Sequence, residues 1–295
     1  MDTARFVSLL NVIALVTIML GTGMQVRFEA VTGSVRPVHQ VALGLIANYA
    51  LVPALTVVLL FLFQPAPMVS VGFLVLAVCP GAPIGPLATK IARGDVAWAI
   101  GIMVILAALS ALLSPALLSI LLTEIAPDSD LQIDYLAIVR TLLVAQLLPL
   151  AAGLAIHHGM PKLTAKVVKP ISMAANLMLL LLIGLILATQ YEMLAAIRVR
   201  GWTGMSLLFV ASLAIGWLCG GTDGAIRNAL AVTTSGRNAA VGLVIVTGNF
   251  AGTEAVTAVV AYAVVSILGT FGCAVLLGKA THNAAGSSQM QPSSS

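Results

Sequence analysis

Charge is scarce in this chain. Of 295 residues only 8% are Asp, Glu, Lys or Arg, while 60% are hydrophobic. A soluble domain carries roughly a quarter charged residues, so the composition excludes one. Cysteine is scarce too. Cys79, Cys219 and Cys273 stand singly, without metal-ligand spacing, and read as small apolar packing residues. The few acidic residues fall at helix ends or in loops. No Asp, Glu, His or Cys constellation stands at membrane depth, which argues against an enzyme. The first apolar stretch runs into Gly21, Thr22 and Gly23 without a small-residue cleavage pattern, so no removable signal peptide is expected. The net charge of +4 sits mostly in short loops, where it sets topology, and does not point to nucleic acid.

What fills the chain is apolar sequence in stretches of about 20 residues, the length a helix needs to cross a bilayer. They predict an all-α polytopic membrane protein of about nine spans. The spans run roughly Arg5–Val26, Val41–Phe63, Met68–Thr89, Val96–Leu122, Tyr135–His157, Pro170–Gln190, Gly201–Gly220, Asn228–Gly248 and Ala255–Gly278. Residues 1–283 form one transmembrane domain on this reading, and the polar, Ser-rich segment 284–295 is expected to be disordered.

Two spans are interrupted. Cys79-Pro80-Gly81-Ala82-Pro83-Ile84-Gly85-Pro86 puts three prolines and two glycines into the third, and Thr233-Thr234-Ser235-Gly236-Arg237-Asn238 breaks the eighth. Lipid cannot hydrogen-bond free backbone groups, so such breaks survive only inside protein or beside a watery cavity. They are also the best sequence pointer to a carrier's substrate site. The two broken spans lie five helices apart. That fits two inverted repeats with one helix missing from the first, although no internal repetition is visible in the residues themselves.

The loops alternate in charge. Arg27, Arg36, Lys90, Arg93, Lys162, Lys166, Lys169, Arg227 and Lys279 fall on one side. Pro65–Pro67, the acidic residues Glu124, Asp128, Asp130 and Asp134, and the link Asn249–Glu254 fall on the other, with Arg198 and Arg200 as exceptions. The positive-inside rule then places the N-terminus outside and the C-terminus in the cytoplasm. His157 and His158 end a span and read as interfacial.

Three segments together resemble the bile acid:sodium symporter family over nearly the whole chain. They are MLGTGMQVRFEAVTGSVRPVHQVALGLIANYALVPAL, VCPGAPIGPLATKIARGDVAWAI and TTSGRNAAVGL. The resemblance implies a core domain with two crossing broken helices, a panel domain and substrate bound between them. It implies an integral protein of the bacterial inner membrane that carries an organic anion. It also exposes departures. Family members hold sodium near the crossing with oxygen ligands. Here the residues aligned with that set are Asn48, Gly85, Pro86, Ala99, Thr233 and Arg237, of which only Asn48 and Thr233 keep a side-chain oxygen.

A charge at membrane depth costs at least about 2.5–3.5 kcal/mol, so Arg237 needs a reason. It either replaces sodium and attracts an anion, or holds the carbonyls freed at the crossing, or does both. Thr89, Thr233, Thr234, Ser235 and Asn238 can donate to a bound carboxylate or close the crossing. Gly81, Gly85 and Gly236 permit close approach and unusual dihedrals, while Pro83 and Pro86 prevent regular helix. Lys90 reads as a loop residue, with a place in the cytoplasmic cavity as the other reading. The expectation is a carrier of a small organic anion that works without sodium, as a monomer or weak homodimer, with a sodium-coupled symporter as the alternative.

Overall fold

The computed structural model describes residues 3–26, 38–125, 134–189 and 191–289, and among these every regular element is a helix. Helix is what the bilayer requires of an open chain, because each backbone N–H then finds its carbonyl within the segment. The elements are α1 (Thr3–Gln25), α2 (Val38–Phe63), α3 (Pro67–Ala77), α4 (Gly85–Ile91), α5 (Val96–Ile125), α6 (Tyr135–Gly159), α7 (Pro161–Thr189), α8 (Tyr191–Ala195), α9 (Val199–Cys219), α10 (Gly224–Ser235), α11 (Ala239–Asn249) and α12 (Glu254–Gln289). Eight of the described helical stretches are long and apolar enough to cross a membrane, with α10 and α11 counted as one. The ninth expected span is the broken α3–α4 pair, whose first half is too short to cross alone.

Three differences from the expected spans stand out. The sixth begins at Pro161, so Lys162, Lys166 and Lys169 lie on helix α7 and not in a loop. Proline is well placed at a first helical position, and the lysines' long stems suit a helix end at the headgroups. Residues 233–235 continue α10 to its last turn, which confines the second break to Gly236, Arg237 and Asn238. The last helix continues to Gln289, six residues into the stretch expected to be disordered. Residues 290–295, and the loop positions Arg27, Arg36, Asp128 and Asp130, lie outside the described residues.

Two bundles are interleaved in sequence. Helices α1, α6 and α7 pack on one another, while α2–α5 and α9–α12 form the second, larger bundle. The α1–α6 crossing is nearly backbone against backbone. A Cβ at Gly23 would lie 2.2 Å from the Leu150 carbonyl oxygen, and one at Gly153 would lie 2.3 Å from that of Leu20. Apolar tails offer no hydrophobic drive between helices, so small residues that admit close approach must supply the packing. At the centre of the larger bundle, the most apolar 18-residue window of the α10–α11 span is 100% buried, against 12% for α7, which faces lipid. Helices α2 and α6 each carry a π-turn, Ala47–Leu51 and Leu143–Leu147, two residues before Pro53 and Pro149. Proline lacks the N–H that would continue the ladder, and the widened turns carry the buried polar residues Asn48 and Gln146.

A Gly153→Leu variant should lower the melting temperature of the detergent-purified protein by the equivalent of about 1–3 kcal/mol, the usual cost of overpacking. A Gly272→Ala variant, with nothing within 4 Å of its added Cβ, should be neutral or slightly stabilising.

Candidate functional site at the helix crossing

The break between α3 and α4 frees a series of carbonyls, and the structure satisfies them from outside the broken span. Arg237 Nη1 donates to the Ala77 carbonyl at 3.4 Å. The Ser114 hydroxyl of α5 donates to the Val78 carbonyl. The backbone N–H of Asn238 reaches the Cys79 carbonyl at 2.9 Å, and its side-chain Nδ2 reaches the Gly81 carbonyl at 3.3 Å. Asn238 also caps the second half-helix, its Oδ1 accepting from Val241 N at 3.3 Å. The residues of one break therefore close the other.

Gly81 needs to be glycine. Its φ is +82°, and a Cβ there would lie 2.7 Å from Ala107 N on α5. Gly85 lets α4 start against Thr233, whose Cγ2 would be 3.0 Å from an added Cβ. Gly236 differs from expectation: its φ is −78° and its nearest would-be contact is 3.4 Å, so neither conformation nor space demands glycine. Pro83 is half-buried in the turn, and Pro86 occupies the first turn of α4, where a missing N–H costs nothing.

Arg237 is 2% exposed. Besides Ala77, its Nη1 donates to Asn48 Oδ1 at 3.3 Å, and Asn48 Nδ2 donates in turn to Thr234 Oγ1 at 3.1 Å and Gly44 O at 2.9 Å. Its Nε and Nη2 have no hydrogen-bond partner among the described residues. The titratable side chains near it among the described residues are Tyr262, Cys79 and Tyr49, none of them a carboxylate. Tyr262, buried on α12, sets its ring edge against Phe73 of α3 at 5.9 Å between centroids. Its hydroxyl faces that of the buried Ser212 on α9.

The other expected site residues split. Thr234 and Asn48 join Arg237. Thr233 turns its hydroxyl back to the Ala229 and Leu230 carbonyls at 2.8 and 3.2 Å, and Thr89 bonds Gly85 O at 2.9 Å. Ser235 bonds Val232 O and the Thr270 hydroxyl, each at 3.1 Å. Lys90 is exposed at the end of α4, away from the crossing. Sequence reading missed Ser114, Ser212, Tyr262 and Thr270. A hydroxyl beside a proline, Ser114-Pro115, and a lone tyrosine in an apolar helix were the only available signals.

Asn238→Ala strips a donor from the Gly81 carbonyl and an acceptor from Val241 N–H, both buried. It should cost about 1–3 kcal/mol of stability, read as a lower midpoint in thermal unfolding. Thr89→Ala, which removes a bond within its own helix, should cost less than half of that.

Comparison with known proteins agrees with this architecture. The model of the Sodium Bile acid symporter family matches residues 12–197, more than half of the chain. The chain is 24% identical over 242 residues to the uncharacterized sodium-dependent transporter YocS of Bacillus subtilis, covering 81% of this chain and 74% of that protein. It is 23% identical over 206 residues to the human ileal sodium/bile acid cotransporter, covering 70% of this chain and 59% of that one. It is 25% identical over 168 residues to a sodium-dependent organic anion transporter of Bos taurus, covering 57% of this chain and 44% of that one. The chain thus spans about half of the two mammalian relatives' length. Crossed broken helices and matched segments converge on one conclusion: this chain is an integral membrane protein of the sodium bile acid symporter family, which are transporters and not enzymes.

Proposed function

We propose that this protein is a secondary transporter of an organic anion, working by alternating access between the two bundles, in which the Arg237 guanidinium takes the place of sodium. The observation that carries the reading is a buried guanidinium that, among the described residues, has Nε and Nη2 unpartnered and no carboxylate nearby. Arginine's planar fork suits a carboxylate, and the half-helices α4 and α11 both begin at the crossing, where helix N-termini favour an anion. Asn48, Thr234 and Asn238 are the neutral groups beside it.

The residues aligned with the family's sodium ligands fit a cation poorly. Gly85 and Pro86 carry no side-chain oxygen, and Ala99 sits in an apolar cluster with Val41, Trp98 and Ile102. Asn48 Oδ1 already accepts from Arg237. A positive charge about 4 Å from a bound cation costs about 4 kcal/mol at an effective dielectric of 20. The second reading, a sodium-coupled symporter, is supported by the word sodium in the relatives' names, and in it the remaining hydroxyls and backbone carbonyls would hold the ion. The reading further places the protein in the bacterial inner membrane, as a monomer or weak homodimer, with its N-terminus outside and its C-terminus in the cytoplasm.

Three experiments test this. Sodium should not raise the melting temperature of the purified protein beyond the effect of potassium or choline; a specific ion at 100 times its dissociation constant would add about 2.7 kcal/mol, and a saturable sodium-specific shift would favour the second reading. Arg237→Gln should stay folded and lose roughly 1.5–3 kcal/mol of anion affinity, with Arg237→Lys recovering part of it, as measured by calorimetry across a panel of organic acids; unchanged affinity would leave the arginine a purely structural role. Single cysteines placed at Gln64 and at Lys166 should label from opposite sides of the membrane, Gln64 from the periplasm, and the reverse pattern would invert the topology.

A further inference from the structure

At the end of the molecule that the basic residues assign to the cytoplasm, the end of α4 and the last turns of α12 border a shallow, open concavity of about 400 Å³. It is lined by Arg93, Lys279 and His282, together with Ile91, Val275 and Gly278. Three cationic or protonatable side chains thus come from two segments far apart in sequence, and no carboxylate shares the lining. The helix crossing does not account for them.

The scaffold that brings them together is specific. The Asn228 amide of α10 donates to the Ala92 carbonyl at 2.9 Å and to the Thr281 hydroxyl at 3.2 Å, so one buried side chain pins the residue before Arg93 and the residue between Lys279 and His282. Gly278 lets α12 touch the end of α4: a Cβ there would lie 2.3 Å from the Ile91 carbonyl oxygen. Arg93 itself is held at φ +55°, a conformation that non-glycine residues adopt at a cost and that persists where surrounding structure enforces it. The turn that follows is fixed by Gly94 N to Thr89 O at 2.9 Å and Asp95 N to Ala225 O at 3.1 Å.

The cavity's other wall is apolar and open. Ile91, Val275 and the neighbouring Leu87 and Leu276 are all exposed large hydrophobic residues on the same two helices. A cationic head region that continues into an exposed apolar stripe matches a phospholipid, with its phosphate above and an acyl chain below. Basic pockets between helices on the cytoplasmic side are suited to such headgroups.

We propose that the cavity between α4 and α12 binds the phosphate of an anionic phospholipid, held by Arg93, Lys279 and His282, and that the lipid staples the cytoplasmic end of the first broken helix to the last helix. Free phosphate shares the headgroup chemistry but gains nothing from the apolar wall.

The test is thermal unfolding of the detergent-purified full-length protein, titrated with dioleoyl phosphatidylglycerol, dioleoyl phosphatidylcholine or inorganic phosphate. Phosphatidylglycerol should raise the melting temperature saturably, and the other two should not. In the double variant Arg93→Gly, Lys279→Gln the apparent affinity for phosphatidylglycerol should fall about 30-fold, at about 1 kcal/mol per basic residue. Glycine at position 93 removes the charge while relieving the positive φ, so loss of the lipid effect would not reflect loss of folding. Lys162→Gln, Lys166→Gln, which removes two basic residues on α7 instead, should leave the effect intact. An equal shift with phosphatidylcholine, a phosphatidylglycerol shift that survives the double variant, or one lost equally in the α7 variant would each overturn the proposal. A matching shift with inorganic phosphate would overturn the lipid as the occupant.

Discussion

The structure turns on one constraint: carbonyls freed by a broken helix inside a membrane must be given donors. Each unsatisfied group in that setting costs several kcal/mol, and the third span frees at least four. They are answered by Arg237, Ser114 and the main chain and side chain of Asn238. Because three of those four donors, on Arg237 and Asn238, sit in the other break, neither interruption is tolerable without its partner. The crossing is a mutual repair, and the rest of the larger bundle is arranged to enclose it. That is why the α10–α11 span is the one buried most completely.

This arrangement decides between the two readings of Arg237 less sharply than it first suggests, because one side chain serves both. Nη1 performs the structural task, bridging Ala77 and Asn48. The other two nitrogens point to no acceptor among the described residues. A guanidinium that was needed only as a carbonyl clamp could be replaced by a neutral amide, which brings no charge to desolvate. Retaining full charge in a buried place is more easily understood if an anion arrives there during the working cycle, and that reasoning underlies the proposed role.

Much of the fold was legible because the bilayer simplifies the code. Length and hydropathy marked the spans, and Pro80, Gly81, Pro83 and Gly85 marked the first break. Misreadings came where two rules compete. Lys162, Lys166 and Lys169 look like a loop by charge, yet they lie on the first turns of α7, where long stems can carry their ammonium groups outward. Thr233, Thr234 and Ser235 look like a break by propensity, but their hydroxyls bond carbonyls of their own helix or a neighbouring side chain and the helix holds to Ser235. The site was legible in part. Asn48 was found through the resemblance and Arg237 through the second break and its charge at membrane depth, but their bond spans 189 residues and no local pattern encodes it. Ser114 reaches Val78 across 36 residues and Tyr262 meets Phe73 from another helix, and their only local marks are a following proline and a lone tyrosine in an apolar helix.

The distribution of polar contacts also bears on which parts can move. The crossing is tied by a charged donor, two hydroxyls and an asparagine used on both its backbone and its side chain. The seam between the two bundles carries far lighter polar ties. Asn11 donates to Thr247 at 3.0 Å, and Gln146 donates to the Ala107 carbonyl and to Ser110. Such neutral bonds contribute about 0.5–1.5 kcal/mol each, and they can be exchanged for water or for another register. Breaking the crossing would strand several carbonyls and a buried charge together. A sliding seam beside an intact crossing is therefore the low-cost motion.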